Sequence, residues 1–249
     1  MSHRKYTLKK DPDDLRDKVY RSEHKDTVML PASVDLRSKM SPVVDQGQLG
    51  SCTANAIASG LREYLEIQSG KPLTRLSRLY LYWHERQIEG TINEDSGAYI
   101  RDGMKVLQTI GCAPEADYSY DIATFRNKPS AKAEVDAGAY KIKEYHRVLN
   151  FAAMQAALAA GSPVVIGISV FSSFESEAVA KTGMVPLPKR GEQSLGGHAV
   201  LVVGYQNMGN TVYAIVRNSW GADWGDQGYF YLSKTYFDKG YVSDMWTGK

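Results

Sequence analysis

Asp45-Gln46-Gly47-Gln48-Leu49-Gly50-Ser51-Cys52-Thr53-Ala54-Asn55-Ala56 is a glycine-punctuated loop that runs into a helix. Its glycines give the backbone tight turns and close approach to a ligand. The apolar residues that follow, Ile57, Leu61, Tyr64 and Leu65, recur at i, i+4, i+7 and i+8, the buried stripe of a helix. Cys52 therefore falls in the first turn, where free N–H groups and the macrodipole favour a thiolate, the nucleophilic form of cysteine. Gln46, six residues earlier, offers a side-chain N–H, and the backbone N–H of Cys52 offers a second donor. Two donors converging near a nucleophile suit an oxyanion. A lone cysteine is ordinarily one more small buried residue, so the chemical reading needs partners from elsewhere in the chain.

The chain has 249 residues, 43% of them hydrophobic, and a net charge of +2. That length buries a sizeable core, as one large domain or two intimate lobes. Neither nucleic acid nor membrane is expected as a partner. The charge is nearly balanced, the 16 tyrosines are not interleaved with a basic run, and no apolar run has the length of a membrane span. Met1 to Lys10 is basic and polar with no apolar segment behind it, unlike a secretory signal. Two cysteines, Cys52 and Cys112, in so long a chain fit a reducing compartment. A cytoplasmic location is expected, with export by a route that needs no cleaved signal as the alternative. The five histidines (His3, His24, His84, His146, His198) and two cysteines lack metal-ligand spacing, so neither metal nor cofactor is expected.

Residues 1–30 stand apart: fourteen of the thirty are Lys, Arg, Asp or Glu. Asp11-Pro12-Asp13-Asp14 reads as a helix start and predicts a helix to about residue 20. The segment is either a flexible tail or an arm laid over the body, and the domain proper spans 31–249. Helices are predicted over 52–69, over 78–87 with Ser77 as cap, up to about 109, and over 151–160 with Asn150 as cap. Strands are predicted over 139–145, 164–170, 198–205, 211–217 and 228–232, with Asn207-Met208-Gly209-Asn210 as a hairpin turn. Helices first and strands later imply an α+β fold with a helical lobe and a β lobe. His84, on a predicted helix, and Cys112, in a loop, read as structural.

Gly196-Gly197-His198-Ala199-Val200 sets a histidine at the start of an apolar strand, where its ring nitrogens need partners. Arg217-Asn218-Ser219-Trp220-Gly221 closes the neighbouring predicted strand, so a short hairpin brings Asn218 beside His198. An asparagine oxygen accepting from one ring nitrogen fixes the tautomer and turns the other nitrogen toward Cys52. This is the nucleophile, base and orienter logic of covalent catalysis. Trp220 is placed to cover the His198–Asn218 contact and exclude water. The plainer alternative is a hydrogen-bonded structural histidine and a core tryptophan.

With Gln46, Cys52, His198 and Asn218 in that order, the chain resembles the papain family of cysteine peptidases. His198 and Asn218 lie 146 and 166 residues after Cys52, against roughly 130–150 in the family signature. Asn218-Ser219-Trp220-Gly221, Trp224-Gly225 and Gly228-Tyr229 match the family's tail motif, and the match runs from about Leu30 onward. The nucleophile loop is similar to that of the bacterial and viral subgroup of which xylellain is a member. Leu49 and Thr53 stand where the family usually has a cysteine and an aromatic residue, so the usual disulfides do not form. About 30 residues precede the domain in this sequence, fewer than the long helical propeptide of the family's eukaryotic members.

The resemblance implies two lobes, one helical and one a β-barrel-like antiparallel lobe, with the active-site cleft between them. It implies amide hydrolysis of a peptide or protein substrate by a monomer. Cys52 and His198 would act as a thiolate–imidazolium pair, Asn218 as orienter, and Gln46 with the Cys52 N–H as oxyanion hole. Ser96-Gly97-Ala98 is expected to form a backbone ledge for an extended peptide. Gly167 would leave a roomy pocket for the second residue before the cut, and Gly197 would lie beside the peptide. Residues 1–30 are expected to lie across the cleft as a short regulatory arm. Two other readings remain: a different acyl transfer by the same Cys–His pair, such as transglutamination or amide deacylation, and a silent binding protein on this scaffold.

Overall fold

The computed structural model describes residues 4–22 and 29–249. Seven strands form one antiparallel sheet: β1 (Val34–Asp35), β2 (Tyr145–Arg147), β3 (Val164–Phe171), β4 (Ser194–Met208), β5 (Thr211–Arg217), β6 (Tyr229–Ser233) and β7 (Val242–Gly248). Their order is β2-β7-β3-β4-β5-β6, and β1 pairs with the far end of β4 through Val34↔Tyr205 and Asp35↔Gly204. The sheet is open rather than closed into a barrel. Residues 198–205 of β4 are all buried, which is why this stretch reads as a continuous apolar run rather than an alternation. Each fully buried valine or leucine here contributes about 1.5–3 kcal/mol.

The helical lobe packs on this strand. Residues 52–68 form one helical stretch: α-helical at Cys52–Ala54, π-helical at Asn55–Arg62, and α-helical again at Glu63–Gln68. It lies close against β4: a Cβ placed on Gly60 would stand 2.9 Å from Leu201 Cδ2. The helix Arg78–Glu89 starts where the Ser77 hydroxyl accepts from Tyr80 N at 3.0 Å. Ile100–Thr109 and Phe151–Ala159 follow, the latter capped by Asn150 through Ala153 N at 2.9 Å. The predicted hairpin closes β4 on β5 through Gly209 and Asn210, with Gly209 at φ +61. No helix of the described residues is long and apolar enough to cross a membrane.

Two predicted elements are corrected. The described residues of 11–20 contain no helix. Asp11 does not cap its own chain; its carboxylate accepts from Trp246 Nε1 at 2.7 Å and from Arg101 N at 3.2 Å. The predicted strand at 139–145 is instead a 3-10 turn, Gly138–Tyr140, leading to the short β2. The short helices Ala131–Ala137, Glu177–Thr182 and Lys234–Asp238, and strand β7, were not predicted. In β7, Ser243 and Asp244 interrupt the apolar pattern, although Asp244 is wholly buried.

Candidate active site

The first turn of the helix at 52–68 points Cys52 at β4. Backbone N–H groups of Ala199, Thr53 and Cys52 lie near enough to its sulfur to favour the thiolate. His198, one residue before Ala199, hydrogen-bonds through Nε2 to Asn218 Oδ1 at 2.9 Å. Its Nδ1 is buried and has no hydrogen-bond partner among the described residues. Asn218 Oδ1 also accepts from Ser219 N at 2.9 Å, which fixes the oxygen toward the ring. Trp220 stacks on the imidazole, with ring centroids 5.0 Å apart and planes 23° from parallel.

Gln46 is locked from both ends. Its Oε1 accepts from Ser219 Oγ at 2.6 Å, and its Nε2 donates to Leu49 O at 2.9 Å. A primary amide has two N–H donors, so one is left for an oxyanion. The structure thus brings Gln46, Cys52, His198 and Asn218 into one site with Trp220 over it. His84 and Cys112 lie elsewhere: His84 bonds Gln87 through Nδ1 at 3.1 Å, and Cys112 donates to Ser77 O at 3.3 Å.

The site is covered. Cys52 and His198 are 0% exposed, and the N-terminal segment lies over the histidine. Arg4 sits 4.1 Å above the Trp220 ring, and the Tyr6 ring meets His198 edge-on at 6.2 Å. Leu8 N donates to Gly197 O at 3.1 Å and Lys9 N to Ala98 O at 3.2 Å. Gly97, at φ +69, makes room for the segment: a Cβ there would lie 1.9 Å from Thr7 O. Leu8 fills the space over Gly167, where a Cβ would meet Leu8 Cδ2 at 2.8 Å. Gly97, Ala98, Gly167 and Gly197 therefore all border this segment. Ser96 instead turns its hydroxyl to Thr91 Oγ1 at 2.8 Å and supports the ledge from behind.

Burial sets the protonation of the covered site. It pushes the Cys52 thiol up to about 12, helped by the nearby Glu85 carboxyl and opposed by the three backbone N–H groups. It holds His198 down at about 4; the Asn218 hydrogen bond opposes that shift, and the charge of Arg4 adds to it. Under the segment, burial therefore favours the neutral thiol and the neutral imidazole.

Several supporting residues were not picked out from the sequence. Asn55 donates to Ser51 O at 2.9 Å and braces the turn that carries Cys52. Tyr120 bonds Ser51 Oγ at 2.6 Å and Gln46 O at 2.9 Å. Asp95 accepts from Gly50 N at 2.9 Å and from Tyr82 OH at 2.7 Å, while Tyr82 OH accepts from Gly97 N at 3.1 Å. One carboxylate thus ties the nucleophile loop to the ledge, beside Leu49, where the expected disulfide cysteine is absent. Nothing local in the sequence marks Tyr120 or Asp95, because the loop residues they hold lie far along the chain. Asp95→Ala leaves Gly50 N and Tyr82 OH without an acceptor, at a cost of about 1–3 kcal/mol each, and frees the exposed Lys5 ammonium to water. Thermal melting is expected to fall by several degrees for a chain of this size, while Asp95→Asn, which keeps the acceptor oxygen, loses much less.

A thiol at a helix start, beside an imidazole held by an asparagine in a cleft between a helical lobe and a sheet, defines a cysteine peptidase. Residues 30–245 match the family model described as papain family cysteine protease, and the chain belongs to that family. It is 42% identical over 215 residues to a peptidase C1-like protein of Acanthamoeba polyphaga mimivirus, covering 82% of this chain and 68% of that one. Cathepsin K of Gallus gallus is 30% identical over 213 residues, covering 82% of this chain and 59% of its own. Among solved structures, xylellain, a cysteine protease from Xylella fastidiosa, matches with a TM-score of 0.88 at 38% identity, covering 98% of this chain and 95% of that chain. The protein is a papain-like cysteine peptidase, a hydrolase.

Proposed function

We propose that this peptidase cuts peptide bonds with Cys52 as nucleophile and His198 as acid and base, and that residues 4–11 hold it inactive by occupying its cleft. The carrying observation is the pairing of a buried, unpartnered His198 Nδ1 with an Nε2 fixed on Asn218, beside the backbone that contacts the Cys52 sulfur. Cys52 attacks the substrate carbonyl, and Gln46 and the Cys52 N–H receive the oxyanion. His198 protonates the leaving amine, which yields a thioester. Water activated by His198 then hydrolyses that thioester and returns the thiol.

This chemistry sets the direction of a substrate. The leaving amine must face His198, so the acyl half lies over Gly97, Ala98 and Gly167. On the arm, Tyr6 sits at His198, Thr7 at Gly97, Leu8 over Gly167, and Lys9 at Ala98. The arm therefore runs opposite to a substrate, which supports its occupying the cleft without being cut.

The test is labelling with an epoxysuccinyl peptide that alkylates activated cysteines, with the adduct mapped by mass spectrometry. The expected adduct is on Cys52 and not on Cys112, and it forms faster in a full-length chain carrying Leu8→Asp than in the wild type. A folded Leu8→Asp chain left unlabelled at Cys52 would overturn the proposal.

A further inference from the structure

The arm seats a cation in a site that the catalytic chemistry does not use. The Lys9 ammonium pairs with Glu89 Oε2 and lies 5.4 Å from the centroid of the Tyr99 ring. The carboxylate is held in place: Glu89 Oε1 accepts from Tyr99 N at 3.0 Å, and the side chain is only 5% exposed. Tyr99 directly follows Ala98, whose carbonyl takes the Lys9 N–H. A fixed carboxylate beside an aromatic face, at the end of a peptide-binding ledge, is a receptor for a lysine or arginine side chain.

Two further carboxyl groups stand nearby. Asp102 is close enough that burial first, then Glu89, raises its carboxyl above the usual range, with Lys105, Arg101 and Lys9 opposing. Glu85, one helical turn from Glu89, is fully buried and raised well above the usual range, chiefly by burial. Once the arm leaves, Glu89 loses its paired ammonium and faces the cleft.

We propose that Glu89 and Tyr99 form a cation subsite that selects substrates with Lys or Arg immediately before the residue held over Gly167. The order follows from the reversed arm. Leu8 fills the space at Gly167 and Lys9 comes next toward Glu89, so a substrate running the other way presents cation, aliphatic residue, then the residue at the cut. This rests on the peptidase reading above and adds a substrate class to it.

The test uses the full-length chain with Leu8→Asp and Lys9→Ser, which weakens the arm and removes its own cation. Internally quenched peptides differ only in Lys, Gln or Glu before a leucine. The Lys peptide is expected to be cut with kcat/KM roughly tenfold above the Gln peptide, between the worth of an exposed ion pair and that of a charge-assisted hydrogen bond. Glu89→Gln, which keeps an acceptor for Tyr99 N, is expected to bring the Lys-to-Gln ratio close to one. Glu89→Lys is expected to invert it in favour of Glu. Equal cutting of the Lys and Gln peptides, or a Lys preference that survives Glu89→Gln, overturns the subsite and leaves the peptidase reading intact. If no peptide is cut and Cys52 takes no epoxide label, the peptidase reading fails and the subsite with it.

Discussion

A full-length chain carrying Leu8→Asp is expected to hydrolyse a peptide substrate on the order of 100-fold faster than the wild type at pH 7, since a hundredfold corresponds to about 2.7 kcal/mol. Leu8 is half-buried and packs on the core beside Gly167 and Ser243, and losing that contact costs about 1.5 kcal/mol. The new carboxylate is also costly to half-bury there. A tethered arm acts at an effective concentration of about a millimolar, so even a weakly bound segment keeps the cleft largely closed, and release shows in full as rate. Lys10→Glu, on an exposed residue of the same arm, serves as the control and is expected to change the rate little. Equal rates for the wild type and Leu8→Asp, with both folded, would mean that the arm does not hold the site shut.

The pH dependence of that rate gap has a sign. It is set by Asp11. Docking buries it, and that burial with the nearby Asp244 raises its pKa from 3.8 to about 6; the hydrogen bond from Trp246 opposes the shift. The docked chain therefore takes up a proton as pH falls through 6, which the released arm does not do until near 3.8, and docking tightens. The ratio of Leu8→Asp to wild-type rates is expected to widen between pH 7 and pH 5. Asp11→Asn, which mimics the protonated form, is expected to flatten it.

The parts of the site that share a local pattern were legible in the sequence. The thiol announced itself by a loop rich in glycine followed by a 3.6-residue stripe. His198 and Asn218 came from strands joined by a hairpin, so their meeting followed from connectivity. The arm was only half legible. Its composition set it apart from the domain, but Asp11-Pro12-Asp13-Asp14 carries the signature of a helix start, and tertiary contacts overrode it: Asp11 is held by Trp246 and Arg101 instead. Asp95, Tyr120 and Glu89 were invisible for one reason. Each works through a partner distant in sequence, so no spacing rule reports it. β7 was hidden because its buried Asp244 is satisfied by Arg147 and by the arm itself, neither of which lies near it in the chain.

In the Leu8→Asp background, Cys52→Ala and His198→Ala are each expected to lower kcat/KM by 10⁴-fold or more, and Asn218→Ala by much less. The grading follows from what each residue does. Without Cys52 no thioester forms. Without His198 the thiol has no base near neutral pH, and no acid reaches the leaving amine. Asn218 only orients the ring, and Trp220 still stacks on the imidazole at 5.0 Å, so part of the orientation survives its loss. The Cys52→Ala, His198→Ala double variant is expected to be no worse than either single one, because the two act as a unit. Measuring kcat/KM for all four chains on one quenched peptide decides the matter. If the single losses multiply in the double variant, the two residues act independently and the coupled pair is wrong. If Asn218→Ala falls as far as His198→Ala, the Asn218 hydrogen bond at 2.9 Å is what keeps the histidine functional, and the Trp220 stack contributes packing alone.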